Sequence, residues 1–169
     1  MESVGVEIER KYIIEKPDVE HLRRQDNFSE SDIVQIYLTS DAAQTRRIRA
    51  RVKNGATVYT ETRKIRIDKM SSTEIEREIE ESEFSELSKL LREGSRPIKK
   101  TRYTFDFSGQ LFEIDVYPEW SSTAIMETEL PTRETSVEMP PFIKIVREVT
   151  GIREYSNSAM ANAFPAEEA

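Results

Sequence analysis

The stretch Val6-Glu7-Ile8-Glu9-Arg10-Lys11-Tyr12-Ile13-Ile14 alternates along most of its length between apolar and charged residues. Successive side chains of a β-strand point to opposite faces, so Glu7, Glu9 and Lys11 share one face and mainly apolar residues share the other. Two carboxylates and an ammonium group would be costly in a packed core. The stretch therefore predicts a strand whose charged face meets water, or surrounds a metal ion and a multiply charged anion.

Length and composition restrict the class of protein. The chain has 169 residues, which suits a single domain, residues 1–169, with one sizeable core. Its net charge of -7 argues against general nucleic-acid binding, although basic residues can still be concentrated in a site for a small anion. The absence of cysteine excludes disulfides and thiolate metal sites. No apolar leader and no bilayer-length run is present, so we expect a cytoplasmic protein with no membrane partner.

Further stretches show the same alternation. The Asn54-Gly55 pair between two of them is a strong hairpin signal. Residues 73–80 could also form a helix, because Glu favours helices, but a strand is preferred because their apolar residues would make only a thin helical stripe. Strands are predicted at 33–39, 46–52, 57–68, 73–80, 100–107, 111–117 and 124–130, and helices at 17–24, 83–93, 142–150 and 155–164.

The charged faces are sorted by sign. One strand carries Arg47, Arg49 and Arg51, whereas others carry only carboxylates on the equivalent face. Like charges along a strand repel unless neighbours or ligands compensate them. Eight such strands could close into an antiparallel barrel with the charged faces inside and helices outside. On alternation alone, an open antiparallel sheet with one solvated face is favoured over the barrel.

The order of short motifs resembles the CYTH family, the triphosphate tunnel metalloenzymes. The similar segments are Glu7-x-Glu9-x-Lys11, Arg47-Ile48-Arg49, Thr62-Arg63-Lys64, Glu76-Arg77-Glu78, Lys100-Thr101-Arg102, Glu113-Ile114-Asp115, Glu127-Thr128-Glu129 and Tyr155-Ser156-Asn157. Two positions depart from the pattern: Arg51 extends the basic pair, which leaves its register uncertain by two residues, and Glu74 stands where many relatives have a basic residue. The resemblance implies an α+β fold, a closed eight-stranded antiparallel β-barrel that forms a polar tunnel with helices packed outside.

The resemblance also implies a site. Arginine offers bidentate contacts to phosphate oxygens, and a hard divalent cation prefers carboxylate oxygens. Glu76, Glu78 and Lys11 are the implied catalytic residues. The implied triphosphate-binding residues are Lys11, Arg47, Arg49, Lys64, Lys100 and Arg102. The implied ligands of Mg²⁺ or Mn²⁺ are Glu7, Glu9, Glu127 and Glu129.

The expected activity is metal-dependent hydrolysis of the terminal phosphoryl group of a triphosphate, with inorganic triphosphate as the leading substrate. A class IV adenylate cyclase that makes cyclic AMP from ATP, a thiamine triphosphatase and a non-catalytic polyphosphate- or nucleotide-binding module are the alternatives. A cyclase needs an adenine pocket, for which Trp120 and Phe107 are the candidates. The expected partner is a small-molecule triphosphate rather than a nucleic acid, and a homodimer stays open.

Overall fold

In the computed structural model, which describes residues 2–168, nine strands form one antiparallel sheet that closes on itself. The strands are β1 (Glu2–Glu15), β2 (Asp26–Leu38), β3 (Thr45–Lys53), β4 (Ala56–Arg66), β5 (Ser71–Ile79), β6 (Ile98–Phe107), β7 (Gln110–Val116), β8 (Thr123–Glu129) and β9 (Ile145–Glu148). The helices are α1 (Val19–Arg23), α2 (Glu81–Ser88) and α3 (Asn157–Met160), with a 3₁₀ turn at Arg153–Tyr155.

Strand β1 closes the barrel. Its first half pairs with β5, from Glu2 opposite Arg77 to Ile8 opposite Ser71. Its second half pairs with β8, beginning with Glu9 opposite Glu129. The order around the barrel is β1-β5-β4-β3-β2-β6-β7-β8 and back to β1, with β9 added beside β1. The predicted closed eight-stranded antiparallel barrel is therefore confirmed.

The helix predicted at 142–150 is wrong. Residues Ile145–Glu148 form strand β9, in which Glu148 lies opposite Tyr12. β5 pairs with β1 only as far as Ile8, so the same edge is available further along the strand, and the Val149 N–H donates to the Lys11 carbonyl there. A β-branched segment beside an open edge gains ladder hydrogen bonds that outweigh its helical periodicity.

The apolar outer face of the barrel is covered in two places. Buried side chains on β1, β6, β7 and β8 pack with Leu22 of α1 and with Phe142 and Ile143 of the loop before β9. On β2, β3 and β5 the buried residues pack against Phe84 and Leu87 of α2. The positions of α1 and α2 match the predicted placement of helices outside the barrel. Helix α2 spans Glu81–Ser88, so it begins before residue 83 and ends before residue 93.

The C-terminal segment packs on the inside of the barrel wall. Ile13 of β1 and Ile125 of β8 are buried there with Tyr155 and Met160. Only four residues of the predicted 155–164 helix are helical, as α3, and a 3₁₀ turn precedes them. Within residues 2–168, every helix is too short or too polar to cross a membrane.

Candidate functional site

A cavity of about 1220 Å³ lies inside the barrel, lined by the inward-facing side chains of its strands. Because the side-chain period of a strand is two, the alternation seen in the sequence places whole rows of charged residues on this inner surface. All but one of the predicted site residues line the cavity, namely Glu7, Glu9, Lys11, Arg47, Arg49, Lys64, Glu76, Lys100, Arg102, Glu127 and Glu129.

The exception is Glu78. It is exposed and is not among the cavity-lining residues, although it shares a strand face with Glu76. Two residues along a strand correspond to roughly 6.6 Å, which carries Glu78 past the end of the cavity. We therefore assign Glu78 no part in catalysis.

The charges on the inner surface form two continuous arcs. The basic arc comprises the adjacent strands β4, β3, β2 and β6, and the acidic arc comprises β7, β8, β1 and β5. The basic arc contributes Lys64, Arg66, Arg47, Arg49, Arg51, Lys100 and Arg102 to the cavity. The acidic arc contributes Glu113, Glu127, Glu129, Glu7, Glu9, Glu74 and Glu76, with Lys11 as its one cation among the lining residues. Strand β3 lies four strands from β8 in either direction, so cations face carboxylates across the cavity.

In the described part of the chain, the arginines of β3 have no carboxylate partner. Arg49 Nη2 and Nε donate to Gln35 Oε1 over 2.9 and 3.2 Å, and this neutral acceptor leaves the positive charge in place. Within residues 2–168, Arg47, Arg49 and Arg51 form no ion pair, unlike the lysine and arginine of β6. Burial, together with the nearby Arg47 and Arg102, lowers the pKa of Arg49 to about 9. An anion in the cavity would relieve this repulsion.

The two cations of β6, Lys100 and Arg102, both contact the buried carboxylate of Asp115. Asp115 accepts two hydrogen bonds from Arg102, at 2.8 and 2.9 Å, and lies 2.8 Å from Lys100 Nζ. Despite complete burial, which acts in the opposite sense, these two cations hold the pKa of Asp115 far below its usual range. Burial and the neighbouring Arg102 and Arg49 nevertheless lower the pKa of Lys100 to about 7. Both cations of β6 therefore share Asp115, and Arg102 is paired in addition with Glu113 over 2.9 Å.

The carboxylates of the acidic arc crowd one another. Burial and the nearby Glu74 and Glu129 raise the pKa of Glu7 to about 8. The adjacent Glu127, followed by burial, raises the pKa of Glu9 to about 7. A cation bound among these groups would favour their ionised forms, which is the expected chemistry of an oxygen-donor metal site.

The four predicted metal ligands all line the cavity and offer the carboxylate oxygens that a hard cation prefers. On the β1–β8 ladder Glu9 lies opposite Glu129 and Lys11 lies opposite Glu127, and Lys11 Nζ is 3.3 Å from Glu127 Oε1. In the side-chain conformations of residues 2–168, however, no three or more acidic or histidine side chains lie close enough together to hold a metal ion. Binding a metal would require rotation of these side chains about their rotatable bonds.

Comparison with solved structures places the chain in a family. The inorganic triphosphatase NE1496 is 30% identical to the chain, with a TM-score of 0.60, over 94% of this chain and 96% of that one. The chain belongs to the family of this inorganic triphosphatase. No family model and no curated protein sequence matches the chain. Membership of this triphosphatase family is consistent with the resemblance to the triphosphate tunnel enzymes.

More distant structures share the fold of this triphosphatase family. The PH1819 protein from Pyrococcus horikoshii OT3 is 24% identical, with a TM-score of 0.58, over 75% of this chain and 80% of that one. HpAC1 from Hippeastrum, for which a dominant triphosphatase activity is described, is 14% identical, with a TM-score of 0.50, over 75% and 81% of the two chains. These identities support the shared barrel alone.

The C-terminal segment adds polar groups that the strand pattern did not predict. Lys11 Nζ donates to the Tyr155 carbonyl at 3.2 Å, and Lys100 Nζ donates to Asn157 Oδ1 at 3.3 Å. Arg92 binds Ser158 through both its hydroxyl and its carbonyl oxygen. The motif Tyr155-Ser156-Asn157 was the available sequence signal, but no periodicity connects it to the barrel interior. This segment therefore positions two lysines of the site.

Neither candidate for an adenine pocket reaches the cavity. Trp120 is buried in the core formed with the C-terminal segment, and Phe107 packs on the outer face of the barrel. Among the lining residues of the described chain, Tyr37 is the single aromatic side chain.

Proposed function

We propose that the protein hydrolyses the terminal phosphoryl group of a triphosphate in a metal-dependent reaction, with inorganic triphosphate as the leading substrate. The observation that carries this proposal is the cavity with a basic arc facing an acidic arc. A pure anion-binding site has no use for seven lining glutamates, whereas phosphoryl transfer requires cations around the phosphates and carboxylates for a metal and a water. The family relationship to an inorganic triphosphatase supports the same assignment.

The basic arc binds the phosphates. Arg47 and Arg49 offer planar guanidinium groups that match phosphate oxygens in bidentate geometry, and their charges are not neutralised by carboxylates. Lys64 of β4 and Lys100 and Arg102 of β6 complete the set from other strands of the basic arc. The sign of the arc also selects against cationic and neutral ligands.

The acidic arc organises the reaction. Glu7, Glu9, Glu127 and Glu129 are the proposed ligands for Mg²⁺ or Mn²⁺, which when bound neutralises charge on the phosphate oxygens. Lys11, between Glu127 and the Tyr155 carbonyl, is placed to contact a phosphate on the same side.

Glu76 is the proposed residue for orienting the attacking water. Thr62 Oγ1 donates to its Oε1 at 2.9 Å, which fixes the carboxylate orientation inside the cavity. A carboxylate held in this way can accept a hydrogen bond from water and direct its oxygen at the terminal phosphorus.

Inorganic triphosphate is preferred to a nucleotide because the cavity is lined almost entirely by polar and charged side chains. A cyclase must hold adenine and aim the ribose hydroxyl at the α-phosphate, and Tyr37 alone offers an aromatic surface among the described lining residues. ATP and thiamine triphosphate remain the substrates to compare.

The test is phosphate release from inorganic triphosphate, ATP and thiamine triphosphate with Mg²⁺ and with Mn²⁺, alongside a measurement of cyclic AMP. We expect the greatest turnover with inorganic triphosphate and none without a divalent metal. Glu9→Gln and Glu129→Gln should abolish turnover while preserving the fold, and the exposed Glu119→Gln should not affect it. Wild-type turnover in both variants across a full metal titration would refute the metal assignment.

A matched pair tests the water-orienting role. Glu76 lies inside the cavity and Glu78 outside it on the same strand face, so Glu76→Gln should lower the rate far more than Glu78→Gln. Because Glu76 repels the anionic substrate, the affinity of the Glu76→Gln variant for triphosphate should be unchanged or tighter. Tight binding of triphosphate with no metal-dependent release by the wild type would instead indicate a binding module.

A further inference from the structure

Arg51 is a cation inside the barrel for which the described chain provides no partner. Its side chain lines the cavity, its Nε atom is buried, and within residues 2–168 that atom has no hydrogen-bond acceptor. A buried N–H of an arginine normally finds an acceptor, because leaving it unpaired costs free energy. The missing acceptor is therefore best supplied by a ligand in the cavity.

The neighbours of Arg51 explain why it is unpaired. Arg49 lies opposite Gln35 on β2, which accepts two hydrogen bonds from it. Arg51 lies opposite Ile33 on β2 and Val58 on β4, and neither side chain can accept a hydrogen bond. The row on β3 thus ends with a guanidinium group flanked by apolar residues.

The carboxylates nearest to Arg51 are engaged elsewhere. Glu113 forms an ion pair with Arg102 at 2.9 Å, and Glu76 accepts a hydrogen bond from Thr62. Asp115 is bound by the two cations of β6, and none of the three carboxylates forms an ion pair with Arg51. The charge of Arg51 is consequently directed at the cavity contents.

Arg51 also extends the row in a defined direction. Alternate residues of a strand are about 6.6 Å apart, so Arg51 adds one step beyond Arg49. It is the last residue of β3 to line the cavity, because Lys53 and the Asn54-Gly55 turn that follow are exposed and do not line it. The row of three arginines is therefore longer than the pair assigned to triphosphate.

We propose that Arg51 binds the phosphate that follows the third in a condensed inorganic phosphate, so that the cavity prefers chains longer than triphosphate. This inference rests on the proposed function, because Arg47 and Arg49 hold the first phosphates. Each added phosphate supplies further negative charge and oxygens that can accept both N–H groups of one guanidinium edge. Such a ligand satisfies the buried N–H of Arg51 and offsets the repulsion from Arg102.

Calorimetric titration of inorganic triphosphate and inorganic tetraphosphate, without divalent metal, tests the proposal. The wild type should bind tetraphosphate at least about tenfold more tightly than triphosphate, as expected for one charge-assisted contact. Arg51→Gln should remove this preference and leave the affinity for triphosphate within about threefold of the wild type. Arg51→Lys should retain part of the preference, because it keeps the charge and loses the bidentate fork.

Two outcomes would overturn the proposal. They are equal affinity of the wild type for both chains, and an unchanged preference in Arg51→Gln, whether or not both affinities fall. The exposed Arg63→Gln, which removes the same charge outside the cavity, is the matched control. Failure of the proposed function would show separately, as absent metal-dependent phosphate release from triphosphate by the wild type.

Discussion

Arg49 and Lys100 are two cations of one cavity that are held in different ways. Arg49 is fixed by the neutral amide oxygen of Gln35, whereas Lys100 shares the buried carboxylate of Asp115 with Arg102. A neutral partner orients a guanidinium group without reducing its charge. The role of each cation in ligand binding therefore depends on the acceptor beside it.

Arg49→Ala should weaken the binding of inorganic triphosphate. Loss of a charge-assisted hydrogen bond costs about 1.5–3 kcal/mol, which corresponds to a loss in affinity of roughly 10- to 150-fold. The measurement is calorimetric titration of both variants and the wild type, with Arg63→Ala on the outer face of β4 as control. Equal affinities for Arg49→Ala and Arg63→Ala would exclude Arg49 from the site.

Residue-level sequence analysis predicted which side chains face inward but not which of them pair. The period of two fixes the facing of Arg47, Arg49 and Glu76 as soon as the segment is known to be a strand. The acceptor Gln35 and the buried position of Asp115 depend on which strands are neighbours and in which register. That information is spread along the chain, so no local pattern contains it.

At the scale of elements, a buried carboxylate connects three strands and a helix on the outer face. Glu61 of β4 lies 2.5 Å from Arg46 Nε on β3 and 2.7 Å from Arg77 Nη2 on β5, and Arg77 also pairs with Glu83 of α2. The Glu61 side chain is only 2% exposed. In the sequence, Glu61 is one of two charged residues, with Arg63, on the mainly apolar face of this strand.

Glu61→Gln should lower the free energy of unfolding by about 1.5–3 kcal/mol, because two partly exposed arginines would lose hydrogen bonds to a charged acceptor. The measurement is urea denaturation followed by circular dichroism. Glu86→Gln is the matched control, since its pair with Lys89 on α2 is exposed and contributes at most about 1 kcal/mol. Indistinguishable midpoints for the two variants would show that the network does not stabilise the fold.

The type of each element was predictable where apolar and charged residues alternate along the chain. The prediction was wrong where contact with another strand determines the secondary structure. All eight barrel strands were found, although β2 begins at Asp26 rather than at residue 33. The segment Ile145–Glu148 has helical periodicity but forms β9, because the edge of β1 is open to it. The hydrophobic period of a short segment contains no information about an unpaired strand edge elsewhere in the fold, here the edge of β1.

On the scale of the whole molecule, the cavity carries charge that a ligand must balance. Lys100, with its pKa lowered to about 7, is partly neutral at pH 8, whereas an anion nearby favours its charged form. Binding of triphosphate at pH 8 should therefore take up protons, and affinity should fall as the pH rises above 7.

Proton uptake is measured by calorimetry at pH 8 in two buffers that differ in ionisation enthalpy. The Lys100→Gln variant removes the contribution of Lys100 and leaves those of the ligand and of Glu7 and Glu9. We expect a smaller buffer-dependent difference for this variant than for the wild type. Identical differences for the two proteins would mean that Lys100 does not titrate in this range.

Because β1 pairs with β5, β8 and β9, it can complete its pairing only after the chain has been synthesised as far as β9. Contacts between residues so far apart in sequence slow folding, because the entropy of loop closure is lost before the contacts form. Until β1 pairs with them, β5 and β8 have unpaired edges that can form hydrogen bonds with other chains. A nascent or truncated chain that lacks β8 should therefore be prone to aggregation. The barrel closes only when β1 has paired with both β5 and β8.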